Sequence, residues 1–385
     1  MQASAPLGLD RPTEVVIQQP TLPKYRQAVY AGLASRPNVN LHVDYASYDL
    51  PNIQPEGFAA TSIPMKSLKL AGREILVHPS LWNRTAKGGC DVLIAHWNLH
   101  YANLIPSLLR AKKNGVKTIL WGHGYSKREA GWRSWTRNKV GKIADAVVLY
   151  NHTTANHLVD LGFDRDRTFV ALNAIDQAPV DEARESWLAR PNDLRSWQQE
   201  HGFVREDGSL RPLVLFVSRL TPANEVDVLL KAVAKVREQP DLADAQVAVI
   251  GKGDLADELR ALGDSLKIGN DLHMPGAIYE DQQVAPWFLT AAASGAFCYP
   301  NNIGLSVLHA FGYGCAVVTG NDVAAQNPEI EAHRDGENGL LFRRGDPDDL
   351  AEKLTSLFRD ADLRQRLSVE ARKTAAEVFT LDNMV

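Results

Sequence analysis

At 385 residues, with 45% hydrophobic and 23% charged residues, the chain has room for two domains, each with its own core. A formal charge of −4 excludes the basic excess of a dedicated nucleic-acid binder, and no apolar run approaches the ~20 residues of a membrane-spanning helix. Cys90, Cys298 and Cys315 are far apart, odd in number and set among apolar residues, so they read as buried reduced thiols of a cytosolic protein rather than a disulfide or zinc site.

Residues 1–12 lack the basic-then-apolar order of a secretory signal and read as a disordered leader. From Thr13 onward, short apolar runs alternate with amphipathic ones. Glu14–Gln18, Val39–Tyr45, Asp91–His96, Lys117–His123, Asp145–Asn151 and Thr168–Asn173 are expected as buried strands, with helices over Leu104–Gly115 and His152–Phe163. That alternation predicts a mainly parallel sheet wrapped by helices, an α/β domain over 13–185. The polar stretch Asp176–Pro212 reads as a helical connector. A second set of strands follows: LVLFVSR, QVAVIGK, DLHMPGA, GAFCYP, CAVVTGN and GLLFR. Helical segments such as EVDVLLKAVAKVRE lie between them. The simplest reading is a second Rossmann-like domain over 186–370, with 371–385 as the start of a terminal helix.

Ligands of open α/β sheets bind outside the carboxyl ends of the strands, so the residues that follow each strand are the candidates. After the first strand, Lys24 and Arg26 flank Tyr25. HWNLHYANL offers His96, Asn98 and His100; two histidines at i, i+4 can hold a metal, but no third ligand is near in sequence, and no metal is expected. His123 stands between Gly122 and Gly124 at a strand end, a pattern that suggests close backbone approach. From Arg128 to Lys142, basic residues interleave with Trp132 and Trp135; this suits an anionic membrane surface, or equally a solvated helix face with its tryptophans turned inward. Asp164-Arg165-Asp166 resembles a metal-binding Asp-x-Asp but falls where turn chemistry explains it.

In the second half, Arg219 follows LVLFV, where a guanidinium can bind phosphate oxygens or pin its loop to a carboxylate. Gly251 and Gly253 bracket one residue after QVAVI, a close-approach site or a tight turn. Gly304-Leu305-Ser306 can open a helix whose first N–H groups face a diphosphate. His309 lies one turn further on, as a ligand contact or a structural histidine.

Together these segments resemble the retaining family 4 glycosyltransferases of the GT-B fold, most strongly from Pro212 to Phe342. The family's Gly-Arg-Leu, x-Pro, x-Lys-Gly, x-Asp run is similar to Ser218-Arg219-Leu220-Thr221-Pro222-Ala223-Asn224-Glu225-Val226-Asp227. Its Asn-Gly-Ile-Asp resembles Asn173-Ala174-Ile175-Asp176, and its Gly-x-Gly matches Gly251-Lys252-Gly253. Its later Pro-Glu and Gly-x-x-Gly-Leu-Leu-Phe segments match Pro328-Glu329 and Gly336 to Phe342.

The resemblance implies two Rossmann-like domains with a cleft between them. It also implies a nucleotide diphosphate sugar, UDP or GDP type, held mainly by the second domain and an acceptor held mainly by the first. It makes Arg219 a diphosphate contact and places Asn224 where the family has lysine. Asn301 and His309 occupy the places of two glutamates that touch the donor sugar and the ribose. Some polysaccharide-assembly members read Gly-Leu-Ser then His at this place, which Gly304-Leu305-Ser306 and His309 resemble.

The expected activity is therefore retaining, metal-independent hexosyl transfer to a glycan or lipid-linked acceptor, with no cofactor beyond the nucleotide sugar. The expected location is cytoplasmic, either free or peripheral on the inner membrane face. His123, Arg219 and Glu329 are the expected catalytic residues. Gly251, Gly253, Asn301, Gly304, Leu305 and His309 bind the donor; Lys24, Arg26 and Asn98 lie on the acceptor side. A catalytically silent GT-B protein that binds glycan or partners a true transferase, and a sugar-nucleotide epimerase, are the alternatives.

Overall fold

A computed structural model describes residues 11–48, 51–70, 73–125 and 131–385. The chain divides into two compact units, one of Met1–Asn173 with Leu381–Val385 and one of Ala174–Thr380. Among the described residues no helix is long and apolar enough to cross a membrane. The leader, up to residue 10, and Arg128 of the basic segment lie outside the described residues.

The first unit is built on strands β1 (Thr13–Gln19), β2 (Val39–Tyr45) and β3 (Ala59–Ser62), a hairpin of β4 (Lys66–Leu70) and β5 (Arg73–Val77), then β6 (Val92–His96), β7 (Lys117–Gly122), β8 (Ala146–Leu149) and β9 (Thr168–Val170). Seven of these form a parallel sheet in the order β3-β2-β1-β6-β7-β8-β9. Its helices are α1 (Gln27–Ala34), α2 (Pro79–Arg84), α3 (Leu104–Asn114), α4 (Gly131–Gly141) and α5 (His152–Asp160). The ends of these helices are written in the sequence. Gly115 closes α3 at φ 76°, a left-handed cap that costs a glycine nothing sterically. Asn151 caps α5 by accepting from the Thr154 N–H at 3.0 Å.

Strand β3 and the hairpin were not expected. β3, AATS, is a partly exposed edge strand without an apolar run, and β4 carries two lysines, so neither shows the hydrophobic pattern of a buried strand. The expected strand Thr168–Asn173 stops at Val170, on the opposite edge of the sheet.

The second unit begins with α6 (Ala178–Leu188) and α7 (Pro191–Glu200), which lie in the polar connector. Its sheet has the order β12-β11-β10-β13-β14-β15, all parallel, formed by β10 (Leu213–Val217), β11 (Gln246–Ile250), β12 (Leu272–Gly276), β13 (Ala296–Tyr299), β14 (Val317–Gly320) and β15 (Gly339–Phe342). Helices α8 (Val226–Val236), α9 (Ala256–Ser265), α10 (Asp281–Ser294), α11 (Ser306–Tyr313), α12 (Pro347–Arg359) and α13 (Ala361–Lys373) complete it. Nearly every residue of β10 and β11 is buried, as parallel strands covered on both faces require. Helix α8 buries Val226, Leu229, Leu230, Val233 and Val236, a stripe at three- and four-residue spacing worth about 1.5–3 kcal/mol for each fully buried side chain. After α13 the chain passes through a π-helical turn, Thr374–Val378, to α14 (Leu381–Met384), which belongs to the first unit. There Met384 Sδ accepts from Arg26 Nη1 at 3.9 Å. Cys90, Cys298 and Cys315 are all free and buried.

Candidate functional site

In the second unit the first strand, β10, has β11 on one side and β13 on the other. This is the topological switch point, where the loops after β10 and β13 diverge and leave a crevice. The loop after β10 carries Ser218, Arg219 and Asn224, and the loop after β13 carries Asn301 to Leu305, so the switch point brings together the residues singled out in both segments.

These loops are fastened to one another by side-chain amides. Asn224, only 2% exposed, donates from Nδ2 to the Arg219 carbonyl at 2.5 Å and accepts at Oδ1 from Asn302 Nδ2 at 3.1 Å. Asn301 Nδ2 donates to the Ala223 carbonyl at 3.0 Å, which leaves its Oδ1 buried and without a protein partner. Gln326, wholly buried in the loop after β14, accepts from the Ile303 N–H at 2.7 Å and donates to Gly320 O at 3.0 Å. Asn327 Nδ2 reaches the Asn302 carbonyl at 3.1 Å. The loops after β10, β13 and β14 are thus tied together by protein groups alone.

Gly251 and Gly253 serve the first of these loops. A Cβ on Gly251 would overlap the Ser218 carbonyl oxygen, and one on Gly253 the Leu220 carbonyl oxygen. Ser218 N donates to Ile250 O at 3.0 Å and Leu220 N to Lys252 O at 2.9 Å. The close approach this pair permits is therefore that of the neighbouring loop, and it fixes the base of Arg219. Around Gly304, by contrast, a Cβ would meet nothing within 4 Å.

Helix α11 starts where the loop after β13 ends. Its first bonds are Val307 N to Gly304 O at 3.1 Å and His309 N to Leu305 O at 3.4 Å, with no protein acceptor found among the described residues for the N–H groups of Gly304, Leu305 and Ser306. Unsatisfied N–H groups at a helix start carry partial positive charge and suit an anion. His309 is half-buried one turn along α11. Arg219 is exposed, whereas Glu329, in the short helical segment Pro328–Ala332, is buried. Both act on Tyr299. Burial pushes its phenol up, its hydrogen bond to Ser218 Oγ at 2.9 Å and the Arg219 charge draw it down, and Glu329 raises it. Arg219 and Glu329 are therefore both close enough to the Tyr299 phenol, at the end of β13, for their charges to act on it.

The first unit has its own switch point, between β1 and β6. Lys24 and Arg26 follow β1, and Asn98 follows β6. Lys24 is exposed, while Arg26 is buried with its guanidinium carbon 5.0 Å from the ring centres of both Trp121 and Tyr150. His123, exposed at the end of β7, packs edge-on to Tyr150 at 5.1 Å. Gly124 beside it sits at φ 68°, a conformation that favours glycine. Asn98 Oδ1 accepts from the His100 N–H at 2.9 Å, a turn bond. Burial, with the nearby His123 and Arg26 charges, lowers the His96 pKa to about 4. Its Nδ1 is buried without a partner, as are Gln18 Nε2 and Trp121 Nε1. Among the described residues no group of three or more His, Cys, Asp or Glu could hold a metal ion.

On α4, Trp132 and Trp135 are 60% and 63% exposed, so they do not pack inward; Arg133 lies over one ring at 5.4 Å and Lys139 over the other at 5.6 Å. Asp164 caps a short turn through the Asp166 N–H at 3.0 Å, in keeping with its reading as turn chemistry. Asn302, Gln326, Asn327 and Tyr299 were not singled out in the sequence. Asn302 alone carries a signal, since Asn is enriched in the left-handed conformation it adopts at φ 61°.

The family model described as "Glycosyl transferases group 1" matches residues 199–374, and the one described as "Glycosyltransferase Family 4" matches residues 32–178. The D-inositol 3-phosphate glycosyltransferase of Salinispora arenicola is 30% identical over 343 residues, covering 85% of this chain and 70% of that protein. Its namesake from a Nocardioides strain is 27% identical over 249 residues, 62% of this chain and 51% of that one. The chain spans about half the length of several curated relatives it matches. Among solved structures, Alr3699/HepE of Anabaena in complex with UDP aligns over 96% of this chain and 97% of that one, with a TM-score of 0.70 at 15% identity, which is a likeness of fold.

Proposed function

Because this chain belongs to family 4 of the glycosyltransferases and has the GT-B fold, we propose that it transfers a hexosyl group, with retention, from a UDP-sugar to a glycan or lipid-linked acceptor. One observation carries this reading above the others. At the switch point of the second unit, the exposed Arg219 follows β10 and the open N–H groups of Gly304 to Ser306 follow β13, and the side-chain Oδ1 of Asn301 in the same loop is buried without a protein partner. That set suits an anionic diphosphate followed by a hydroxylated ring.

In the proposed roles, Arg219 and the α11 N–H groups stabilise the charge that builds on the departing diphosphate, an electrostatic effect that a fixed, preorganised wall performs without reorganisation. Asn301 Oδ1 accepts from a sugar hydroxyl, His309 contacts the ribose, and Glu329 takes a hydroxyl deeper in the donor pocket. On the first unit, His123 is assigned to the donor sugar, and Lys24, Arg26 and Asn98 to the acceptor. The free, buried cysteines and the proposed nucleotide-sugar donor support placement in the cytosol. The exposed tryptophans and cations of α4 support peripheral contact with an anionic membrane face.

UDP is preferred over GDP because the fold neighbour named above was solved with UDP. The relatives named for inositol 3-phosphate make a phosphorylated polyol the acceptor to try beside glycans. The test is transfer from a panel of UDP-hexoses, with the Arg219→Ala variant as control. Turnover by the native chain and a loss of about 100-fold in the variant support the roles given.

The silent reading has one observation in its favour: Asn224, where the family has a lysine, spends both ends of its amide on protein partners and offers no cation. A folded chain that binds UDP yet turns over no donor would decide for it.

A further inference from the structure

Glu225 occupies the place where the family run has glycine, and it keeps a glycine-like backbone, φ 53° and ψ 40°. A residue with a Cβ adopts that left-handed conformation only at a cost, and Glu has no local hydrogen-bonding habit that favours it. Position 225 is also a junction. Its N–H donates to Pro222 O at 3.3 Å, closing the short turn Pro222–Asn224, and its carbonyl accepts from Val228 N at 3.0 Å, opening α8. A change of φ there swings Asn224, and with it the bond from Asn224 to the Arg219 carbonyl.

What secures this conformation lies in another loop. Arg344, just after β15, donates to Glu225 Oε1 from Nε at 2.9 Å and from Nη2 at 2.5 Å. Its Nη1 donates to Asp322 Oδ2 at 3.0 Å. The base of Arg344 is fixed as well, its backbone N–H donating to Asn321 Oδ1 at 3.2 Å. Among the described residues Arg344 is the one side-chain partner of Glu225, whose Oε2 is buried and unpaired, a cost in itself. One guanidinium thus joins two carboxylates from separate loops, and without it those carboxylates would face each other uncompensated.

We propose that Arg344 is a positioning residue of the donor site, which acts through Glu225: the ion pair substitutes for the missing glycine and keeps Asn224 and Arg219 in their binding arrangement. Arg344 does not touch the donor. The ligand part of this statement rests on the nucleotide-diphosphate reading given above, whereas the clamp itself does not.

The mechanism makes a specific demand. A glycine at 225 adopts the left-handed conformation unaided, so Glu225→Gly should make Arg344 dispensable. The experiment compares the native chain, Arg344→Ala, Glu225→Gly and the double variant, measuring UDP affinity by calorimetry and the urea midpoint of the second unit. Arg344→Ala in the native background should weaken UDP binding by roughly tenfold and lower the midpoint. The double variant should bind and unfold like Glu225→Gly alone, within about twofold in affinity. Should Arg344→Ala fail to fold, Arg344→Gln, which keeps an amide donor, takes its place in both backgrounds.

An equal loss of affinity in both backgrounds would show that Arg344 acts on the ligand directly, and would overturn the proposal. A midpoint that falls equally in both backgrounds would overturn the clamp. If the native chain binds no UDP, that failure belongs to the nucleotide reading, and the midpoints alone still decide whether glycine replaces the ion pair.

Discussion

The side chains of Asn224 and Asn302 meet amide to amide, Asn302 Nδ2 donating to Asn224 Oδ1 at 3.1 Å, while Asn224 Nδ2 donates to the Arg219 carbonyl at 2.5 Å. The position that resembles a family lysine is therefore a strap between two loops, and restoring the lysine should not restore a cation to the site. Asn224→Lys would break the bond from Asn302 and place an ammonium group at a position only 2% exposed. The expected cost is about 1–3 kcal/mol of stability with no gain in turnover. An unchanged urea midpoint together with faster transfer would contradict the strap.

Two glycines of the site should respond to the same substitution with very different losses. Gly251→Ala forces a Cβ onto the Ser218 carbonyl, backbone against backbone, so the β10 loop must move. We expect a loss of at least about 3 kcal/mol from the second unit. Gly304→Ala meets open space and should change stability by no more than about 1 kcal/mol. Denaturant midpoints of the two variants, measured side by side, check the contrast; equal midpoints would refute it.

Much of this architecture was legible from the chain. Strands β10 and β11 announce themselves as continuous apolar runs because both of their faces are buried, and α8 shows its stripe at helical spacing. Arg219, the Gly251 and Gly253 pair and the start of α11 were found by one rule, that ligands gather where strands end. The amide latches were not legible, because each joins residues remote in sequence: Asn224 to Asn302, or Ile303 to Gln326. Nor does Glu225 advertise its left-handed backbone, since the partner that secures it, Arg344, lies 119 residues further on. The hairpin of β4 and β5 escaped for a simpler reason, that charged residues break its apolar pattern.

The first unit should lose stability as pH falls below neutrality. His78 is wholly buried, and burial lowers its pKa from 6.5 to about 4, against the pull of the Asp44 carboxylate. His96 is lowered to about 4 as well. The unfolded chain takes up these protons near 6.5 and the folded chain only near 4, so stability is complete above pH 6.5 and declines until about pH 4. A shift of this size in His78 corresponds to roughly 3 kcal/mol at most. Urea midpoints of the first unit between pH 7.5 and 4.5 should fall, and His78→Leu should flatten the slope. An unaltered slope in the variant would remove His78 from the effect.

Trp132 and Trp135 are exposed, so replacing both by Ala should shift stability by no more than about 0.5 kcal/mol for each. Retention on vesicles containing anionic lipid at low salt should nevertheless drop several-fold, and should vanish for the native chain at high salt. Native protein that ignores such vesicles would leave α4 as an ordinary solvated surface.

The most direct test of the donor site is a thermal and urea stability panel with UDP, GDP, ADP and CMP, run on the native chain and on Arg219→Ala. A nucleotide present at 100 times its Kd adds about 2.7 kcal/mol to the unit that binds it. The account predicts that UDP raises the midpoint of the second unit in the native chain, that the other nucleotides do so less, and that Arg219→Ala abolishes the rise. No shift with any diphosphate at millimolar concentration, or an equal shift in Arg219→Ala, would contradict it.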